Sequence, residues 1–198
     1  MNLNDYKLIF GIVGLIGVLL IASPAIASFI QTPGGEQFSE LYLLGPNHTT
    51  KNYPFNIVAD QNYFVYVGIN NHLGSSSYYT LIVKLKNQTD PLPNTKTSTP
   101  STQQPLYQYS FSIPDSQNWE TQFIFTVSNA SISSSQYKIN QLTLNNINFD
   151  VNKPAAWNST TTKFNYEFIF ELWLYNKTSS SIQYNNRFVA LQLNLTRT

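Results

Sequence analysis

The sequence contains no cysteine and only two histidines, His48 and His72. Without cysteine the chain has no disulfide, no thiol nucleophile, no thiolate zinc site and no iron–sulfur ligand. Two histidines leave little material for acid–base catalysis or metal binding. No nucleophile–base motif and no glycine-rich phosphate loop is visible, since Gly34 and Gly35 stand alone. We therefore expect a protein without metal, cofactor or catalytic activity.

Charged residues are also scarce. They make up 11% of the 198 residues, against about 25% in a typical soluble domain. Eleven basic and ten acidic residues leave a net charge of +1. A nucleic-acid-binding protein shows a basic patch or stripe, so nucleic acid is excluded as a partner. In place of charge the chain carries 23 Asn, 20 Ser, 18 Thr and 13 Tyr.

One long apolar run stands near the N-terminus. Residues 8–30 contain no charged side chain, and as a helix these 23 residues would extend roughly 34 Å, enough for a hydrocarbon core of about 30 Å. We predict a single transmembrane helix or uncleaved signal anchor at 8–30. Lys7 favours residues 1–7 on the cytoplasmic side. Residues 31–198 would then lie outside the cytoplasm.

Two other interpretations of this run remain open. Pro24 interrupts the helix and Ala25-Ile26-Ala27 has the small-x-small pattern of a signal-peptidase site, which is typical of a cleaved signal peptide. A pilin-like leader, cut after Lys7, is the third interpretation. The anchor and the cleaved signal peptide both export residues 31–198.

The exported part alternates short apolar segments with turn residues. Tyr79, Leu81 and Val83 share one face of a strand, and Lys84 and Lys86 lie on the face predicted to be wet. Nine strands are predicted, at 38–44, 55–58, 63–69, 78–86, 107–113, 121–127, 138–144, 164–175 and 187–195. This pattern predicts an all-β fold, an immunoglobulin-like β-sandwich ectodomain that follows the single transmembrane helix.

Two segments do not resemble core strands. Residues 87–104 are rich in proline, threonine and serine, which indicates a mobile loop. Residues 129–162 are rich in serine and asparagine around one hairpin, which indicates an insertion on the sandwich.

The closest approach to a catalytic pair is Glu167 with Glu171. Four residues apart on one strand, their side chains share a face about 13 Å apart. Glycosidase carboxylates lie roughly 5–9.5 Å apart. Both glutamates are therefore predicted to face solvent.

Four residues near turns are candidates for contacts with a ligand or partner: His72, Trp119, Trp157 and Tyr184. We expect the ring of His72 to bind nearby backbone, with a contact or pH-sensing role as the alternative. His48, in another turn, is expected to be exposed. The three aromatic residues could stack on a sugar, although packing at the rim of the core is favoured.

Six Asn-x-Ser/Thr sequons occur, at Asn47, Asn87, Asn129, Asn158, Asn176 and Asn194. Chance alone gives four or five in so asparagine-rich a chain, so their number means little. Their placement means more, because Asn47, Asn87, Asn158 and Asn176 fall in predicted turns. We predict glycans on at least two of these four.

Several short motifs follow one another in a fixed order along the exported part. They are FSELYLLGP at 38–46, Tyr53-Pro54, VGINNH at 67–72, YTL at 79–81, Trp119 before Phe123 and Phe125, and the strand 170–175. This order, over 38–127 and 164–195, resembles the archaeal membrane-protein family called "domain of unknown function 1616". The resemblance implies an archaeal, membrane-attached β domain that faces outward, without a known function.

Together these observations predict a non-catalytic cell-envelope glycoprotein on the cell membrane. Its partners would be the membrane and other envelope or membrane-complex proteins, which the exposed strand edges could bind. The alternative function is a surface module that binds a solute or a glycan.

Overall fold

The computed structural model describes residues 3–29, 36–133 and 135–196. The chain divides into an N-terminal unit, residues 1–37, and a β unit, residues 38–198. In the first, helix α1 covers Leu3–Phe29. Among the residues described, no helix is both long enough and apolar enough to cross a membrane. Ile30, the last residue of the predicted span, lies outside the described residues.

The β unit is a sandwich of two five-stranded sheets, which confirms the predicted β-sandwich. Its strands are β1 (Phe38–Leu44), β2 (Asn56–Ile57), β3 (Tyr63–His72), β4 (Ser77–Asn87), β5 (Pro105–Ile113), β6 (Asn118–Ile132), β7 (Gln136–Leu144), β8 (Ile147–Ala156), β9 (Phe164–Asn176) and β10 (Ser181–Leu195). The first sheet has the order β1-β3-β6-β7-β8, and the second β2-β10-β9-β4-β5. All pairings are antiparallel except that of β2 with β10.

Four phenylalanines form the centre of the core. Phe123 of β6 contacts Phe168 and Phe170 of β9 edge-to-face, with ring centroids 5.3 and 5.1 Å apart, and Phe125 contacts Phe168 at 5.1 Å. All four rings are fully buried. Because β6 and β9 belong to different sheets, these contacts join the two layers.

The predicted insertion at 129–162 belongs to the sandwich itself. Its hairpin consists of β7 and β8, which complete the first sheet beside β6. Ile139, Leu142 and Leu144 are fully buried in the core. The hairpin turn is made by Asn145 and Asn146, whose φ angles of 47° and 67° are ones that asparagine tolerates. Strand β8 escaped prediction because polar residues and Pro154 interrupt its alternation.

The outer face of β4 is not wet as predicted. Lys84 and Lys86 are each 4% exposed. The segment 88–104, which connects β4 to β5, crosses this face, and Lys84 Nζ donates a hydrogen bond to the carbonyl of Ser101 at 2.8 Å. Within this segment Asn94 and Thr99 pair as a small antiparallel bridge. The segment predicted to be a mobile loop is thus bonded to the sheet.

Gly45 is predicted to tolerate replacement by alanine poorly. Its amide donates to the carbonyl of Thr49 at 2.7 Å, and an added Cβ would lie 2.0 Å from the carbonyl oxygen of Lys51. Because backbone must move, we expect Gly45→Ala to lower the free energy of unfolding by more than about 1 kcal/mol. Gly68→Ala is the control, since its added Cβ would meet only the movable ring end of Tyr42. Urea unfolding of both variants in detergent tests this, and a smaller loss for Gly45→Ala would contradict it.

Candidate interaction surface

The two long sides of the sandwich differ in how their strand edges are protected. On one side, β8 presents Asp150, Lys153 and Pro154, residue types that discourage pairing with a foreign strand. The start of the β4–β5 connection also covers this edge, because Asn87 Nδ2 donates to the carbonyl of Pro154 at 2.7 Å. Lys153 Nζ lies 2.5 Å from Asp90 Oδ2. The edge of β8 is therefore protected against strand addition, whereas β5, the terminal strand of the second sheet, pairs only with β4 among the described residues.

The other side is formed by β1 and β10, and the edge of β10 is open over most of its length. β10 pairs with β9 throughout, but on its other edge β2 pairs only with Asn194 and Leu195. The amide of Asn194 donates to the carbonyl of Phe55 at 2.7 Å, so its backbone groups point toward this edge. Since direction alternates along an antiparallel strand, the N–H and C=O groups of the even-numbered residues from Phe188 to Gln192 point the same way.

The edge of β1 opposite β3 is partly open as well. Tyr53 Oη donates to the carbonyl of Leu43 at 2.8 Å, which fixes the direction of the Leu43 backbone away from β3. By the same alternation, the backbone groups of Ser39 and Leu41 point to this open edge. Two strand edges, one from each sheet, therefore border one side of the sandwich.

A groove runs between these two edges. One cavity in it has a volume of about 470 Å³ and is lined by Leu41, Leu43, Phe55, Val189 and Leu191, among others. A second cavity of about 330 Å³ includes Leu41 as well and reaches Glu40 and Arg187. Its walls also include Thr95 from the β4–β5 connection. We call this continuous surface the β1/β10 groove.

The acidic residue with the most unusual surroundings is Glu171, which is fully buried on the outer face of the second sheet instead of facing solvent as predicted. Its Oε2 lies 2.9 Å from Lys84 Nζ and accepts a hydrogen bond from Trp173 Nε1 at 3.3 Å. Its Oε1 accepts bonds from the amide and hydroxyl of Ser101, at 2.7 and 2.5 Å. Both carboxylate oxygens of Glu171 have partners within the fold. The ion pair of Lys84 with Glu171 therefore holds the segment 88–104 on the sheet.

Tyr184 lies beside this ion pair, with its ring centroid 5.8 Å from that of Trp173. Burial and the nearby Glu171 carboxylate raise the pKa of Tyr184 to about 12. The hydroxyl is buried, and among the described residues it has no hydrogen-bond partner. Tyr184 therefore packs against the outer face of the sheet.

The other predicted contact residues pack against the domain too. Trp119 stacks on Phe111 with ring centroids 3.9 Å apart and lies partly buried between the sheets. Trp157 packs edge-to-face on Phe164 at 5.0 Å. The three aromatic candidates thus contact different rings, and each packs against the fold.

Both histidines are exposed, as predicted for His48, and both rings contact a neighbouring aromatic ring. His72 ends β3 with an exposed side chain, and its ring lies 4.8 Å from that of Phe38. His48, predicted to be merely exposed, stacks on Tyr66 at 3.7 Å, and its Nδ1 lies 2.9 Å from Glu120 Oε1. His48 thereby ties the β1–β2 connection to the outer face of the first sheet.

Tyr42 belongs to the same cluster. Its hydroxyl donates to Glu120 Oε2 at 3.2 Å. Burial, followed by the nearby Glu120 carboxylate, raises the pKa of Tyr42 above its ordinary value. Both carboxylate oxygens of Glu120 thus have partners, and the described residues contain no group of three potential metal ligands.

Asn71 is a key residue that the sequence did not indicate. It is fully buried, and its side-chain amide donates to the carbonyls of Ser75 and Ile113, each at 2.9 Å. Its Oδ1 accepts bonds from the Leu73 amide and the Tyr79 hydroxyl. One amide side chain therefore fixes the β3–β4 turn against the end of β5. Nothing in the local pattern distinguishes it from the many turn asparagines.

The sequons lie in different environments. The side chain of Asn47 is exposed in a turn, whereas Asn87 uses its amide nitrogen to bind Pro154. Asn158 and Asn176 accept backbone amide bonds through their oxygens. Asn129 lies exposed in β6, and Asn194 lies in β10. Asn47 thus fits a glycan more readily than Asn87.

Residues 32–142, more than half of the chain, match the family described as "Domain of unknown function (DUF1616)". The chain belongs to this family. The match confirms the family and covers the motifs between 38 and 127, and it includes residues 129–142 of the segment predicted to be an insertion. The motif at 170–175 lies outside the matched residues of this DUF1616 chain. A search of curated proteins gives no match to the DUF1616 chain.

Solved structures of larger enzymes share a similar region with this DUF1616 chain. The β-glucosidase from Listeria innocua in complex with isofagomine has a TM-score of 0.40 and 7% identity over 81% of the chain. The same enzyme in complex with glucose has a TM-score of 0.38 and 10% identity over 82% of the chain. The chain spans only 16% and 17% of those two enzymes, and no functional inference is drawn from them.

Replacing one member of the buried ion pair is predicted to cost more than replacing both. Glu171→Gln leaves the Lys84 ammonium buried without a counter-charge, so we expect a loss of about 3–5 kcal/mol in the free energy of unfolding. The double variant Lys84→Met/Glu171→Leu removes both charges and should lose less. Urea unfolding of the two variants measures the difference. An equal loss of free energy of unfolding in the single and the double variant would show that the ion pair does not hold the segment 88–104 on the sheet.

Proposed function

We propose that this DUF1616 chain is a non-catalytic protein of an archaeal cell envelope. Its β domain acts as an immunoglobulin-like interaction module outside the cytoplasm and binds another envelope or membrane-complex protein. The observation that carries this proposal is the open edge of β10 beside an apolar groove. Natural sandwiches usually protect such edges, as this domain does at β8, because an open edge pairs with other strands.

The chemistry of the side chains supports a binding role over a catalytic one. Both carboxylate oxygens of Glu171 and both of Glu120 have partners within the fold. The β1/β10 groove instead offers backbone groups on its open strand edges, which bind extended polypeptide, beside the side chains of Glu40 and Arg187. The groove therefore suits a protein partner better than a small reactive substrate.

Attachment to the membrane through residues 8–30 is part of the proposal. The uncharged run of 23 residues supports it. So do the exposed apolar side chains of α1, among them Phe10, Leu20 and Ile21. Carbonate washing of membranes, followed by detergent, distinguishes a firmly held chain from one that rests on the surface.

A stable partner should be recovered with the protein. We expect purification from native membranes in mild detergent, followed by intact-protein mass spectrometry, to recover one other envelope or membrane protein in fixed stoichiometry. A DUF1616 chain that carries Glu171→Gln is the control, because a partner that depends on the folded domain should be depleted. Recovery of the protein alone would contradict the proposed function.

Glycosylation is predicted to be selective among the sequons. Asn47 makes no side-chain hydrogen bond within the described part of the chain and is exposed, whereas a glycan on Asn87 would break its bond to Pro154. We expect Asn47→Gln to lower the intact mass by one glycan and Asn87→Gln to leave the glycan mass unchanged. The opposite pattern, or an intact mass equal to that of the bare polypeptide, would contradict this prediction.

A further inference from the structure

We propose that the β1/β10 groove accepts an extended segment of a different protein, which pairs with β10 as an added strand and places an acidic side chain beside Arg187. This inference rests on the proposed function and names the form of the partner. The incoming strand would lie along the same edge of β10 as β2 and extend the pairing that β2 begins at Asn194.

The backbone of β10 offers a row of free bonding groups. Phe188, Ala190 and Gln192 direct their N–H and C=O groups to the open edge, as the bond from the Asn194 amide to Phe55 indicates. Within the described residues no strand pairs with them on that edge. Three residues of this kind supply three donors and three acceptors, enough to bind an extended segment of about seven residues.

The groove beside this row selects an apolar alternating sequence. An added strand turns every second side chain toward the core side, where Leu41, Val189 and Leu191 line the larger cavity. That cavity has a volume of about 470 Å³. Side chains such as valine or leucine fit these walls, and polar side chains on the opposite face of the added strand would meet solvent.

One charged side chain of the groove indicates the residue at one end of the segment. Arg187 is exposed at the smaller cavity and forms no ion pair with any described residue. Glu40, the acidic group at the same cavity, binds Asn70 Nδ2 at 2.6 Å and is not paired with Arg187. A carboxylate on the incoming strand would therefore complement Arg187.

The segment must come from a different protein. In the described residues of the β unit, every apolar stretch of strand length is already paired in one of the two sheets. The connections between strands, such as 88–104, are polar. A second copy of this chain would either give up one of its own strands or pair through its own β10, which carries no acidic residue to complement Arg187.

The test uses the full chain in detergent and the synthetic peptide acetyl-Asp-Thr-Val-Thr-Val-Thr-Val-amide as the probe, in which the aspartate shares a face with the valines as Arg187 does with Val189 and Leu191. We expect saturable binding by calorimetry, together with slower hydrogen–deuterium exchange of the backbone amides between 188 and 192. A peptide with lysine in place of the aspartate should bind more weakly. Absence of binding, or protection confined to residues outside the groove, overturns the inference.

Two variants test the mode of binding. Ala190→Pro removes an N–H from the open edge without removing a bond to β9, and should weaken binding about tenfold or more. Its matched control, Ala190→Ser, keeps the N–H and should bind as the natural chain does. Arg187→Glu should reverse the preference between the aspartate and lysine peptides. This variant tests the inference without a proline in the strand. Equal binding by Ala190→Pro and Ala190→Ser, or an unchanged preference in Arg187→Glu, overturns the inference.

The inference and the proposed function fail in different ways. If a partner is recovered from native membranes but cross-links only to residues outside the β1/β10 groove, the function stands and this inference falls. If the peptide binds in the groove but no partner is recovered, the strand site stands and the proposed function falls.

Discussion

The contact between phenylalanine rings of β6 and β9 is the interaction on which the domain depends. Each sheet has an inner face that its own strands leave uncovered. The rings of β6 and β9 bury these two inner faces against each other. With few charges and no disulfide to add, apolar burial supplies most of the favourable free energy of folding. Buried polar contacts lie at the periphery of this core and fix the segments that connect the strands. They are made by Asn71 and by the ion pair of Lys84 with Glu171.

Regular alternation made most of the β unit predictable from the sequence. All nine predicted strands occur, and β1 has the predicted bounds, because its side chains alternate between core and surface. Strand β8 was missed since Pro154 and its polar neighbours resemble a connection. Alternation reports only which side chains share a face, so it could not show that 88–104 covers the face that carries Lys84. That error also placed Glu171 in solvent.

The candidate surface was much harder to predict than the fold. Trp119 and Trp157 are conspicuous in the sequence as candidates for ligand contact. In the structure each ring packs against a phenylalanine of the domain. The groove consists of backbone groups and ordinary aliphatic side chains, such as Val189, that have no chemical signature. What creates it is the strand order, which leaves β10 with only two residues of β2 on one edge. The sequence pattern predicted the strands of this domain, but it did not predict which strand pairs with which.

The strand order also has a consequence for the biogenesis of the protein. The five strands of the first sheet are complete once residue 156 has been synthesised, but β9 is the middle strand of the second sheet and β10 lies beside it. Until they emerge, β4 and β5 are not joined to β2, and the phenylalanines of β6 lack their partners on β9. Long-range pairing of this kind is slow to form. The nascent chain must therefore be kept from aggregating until β9 and β10 have left the ribosome.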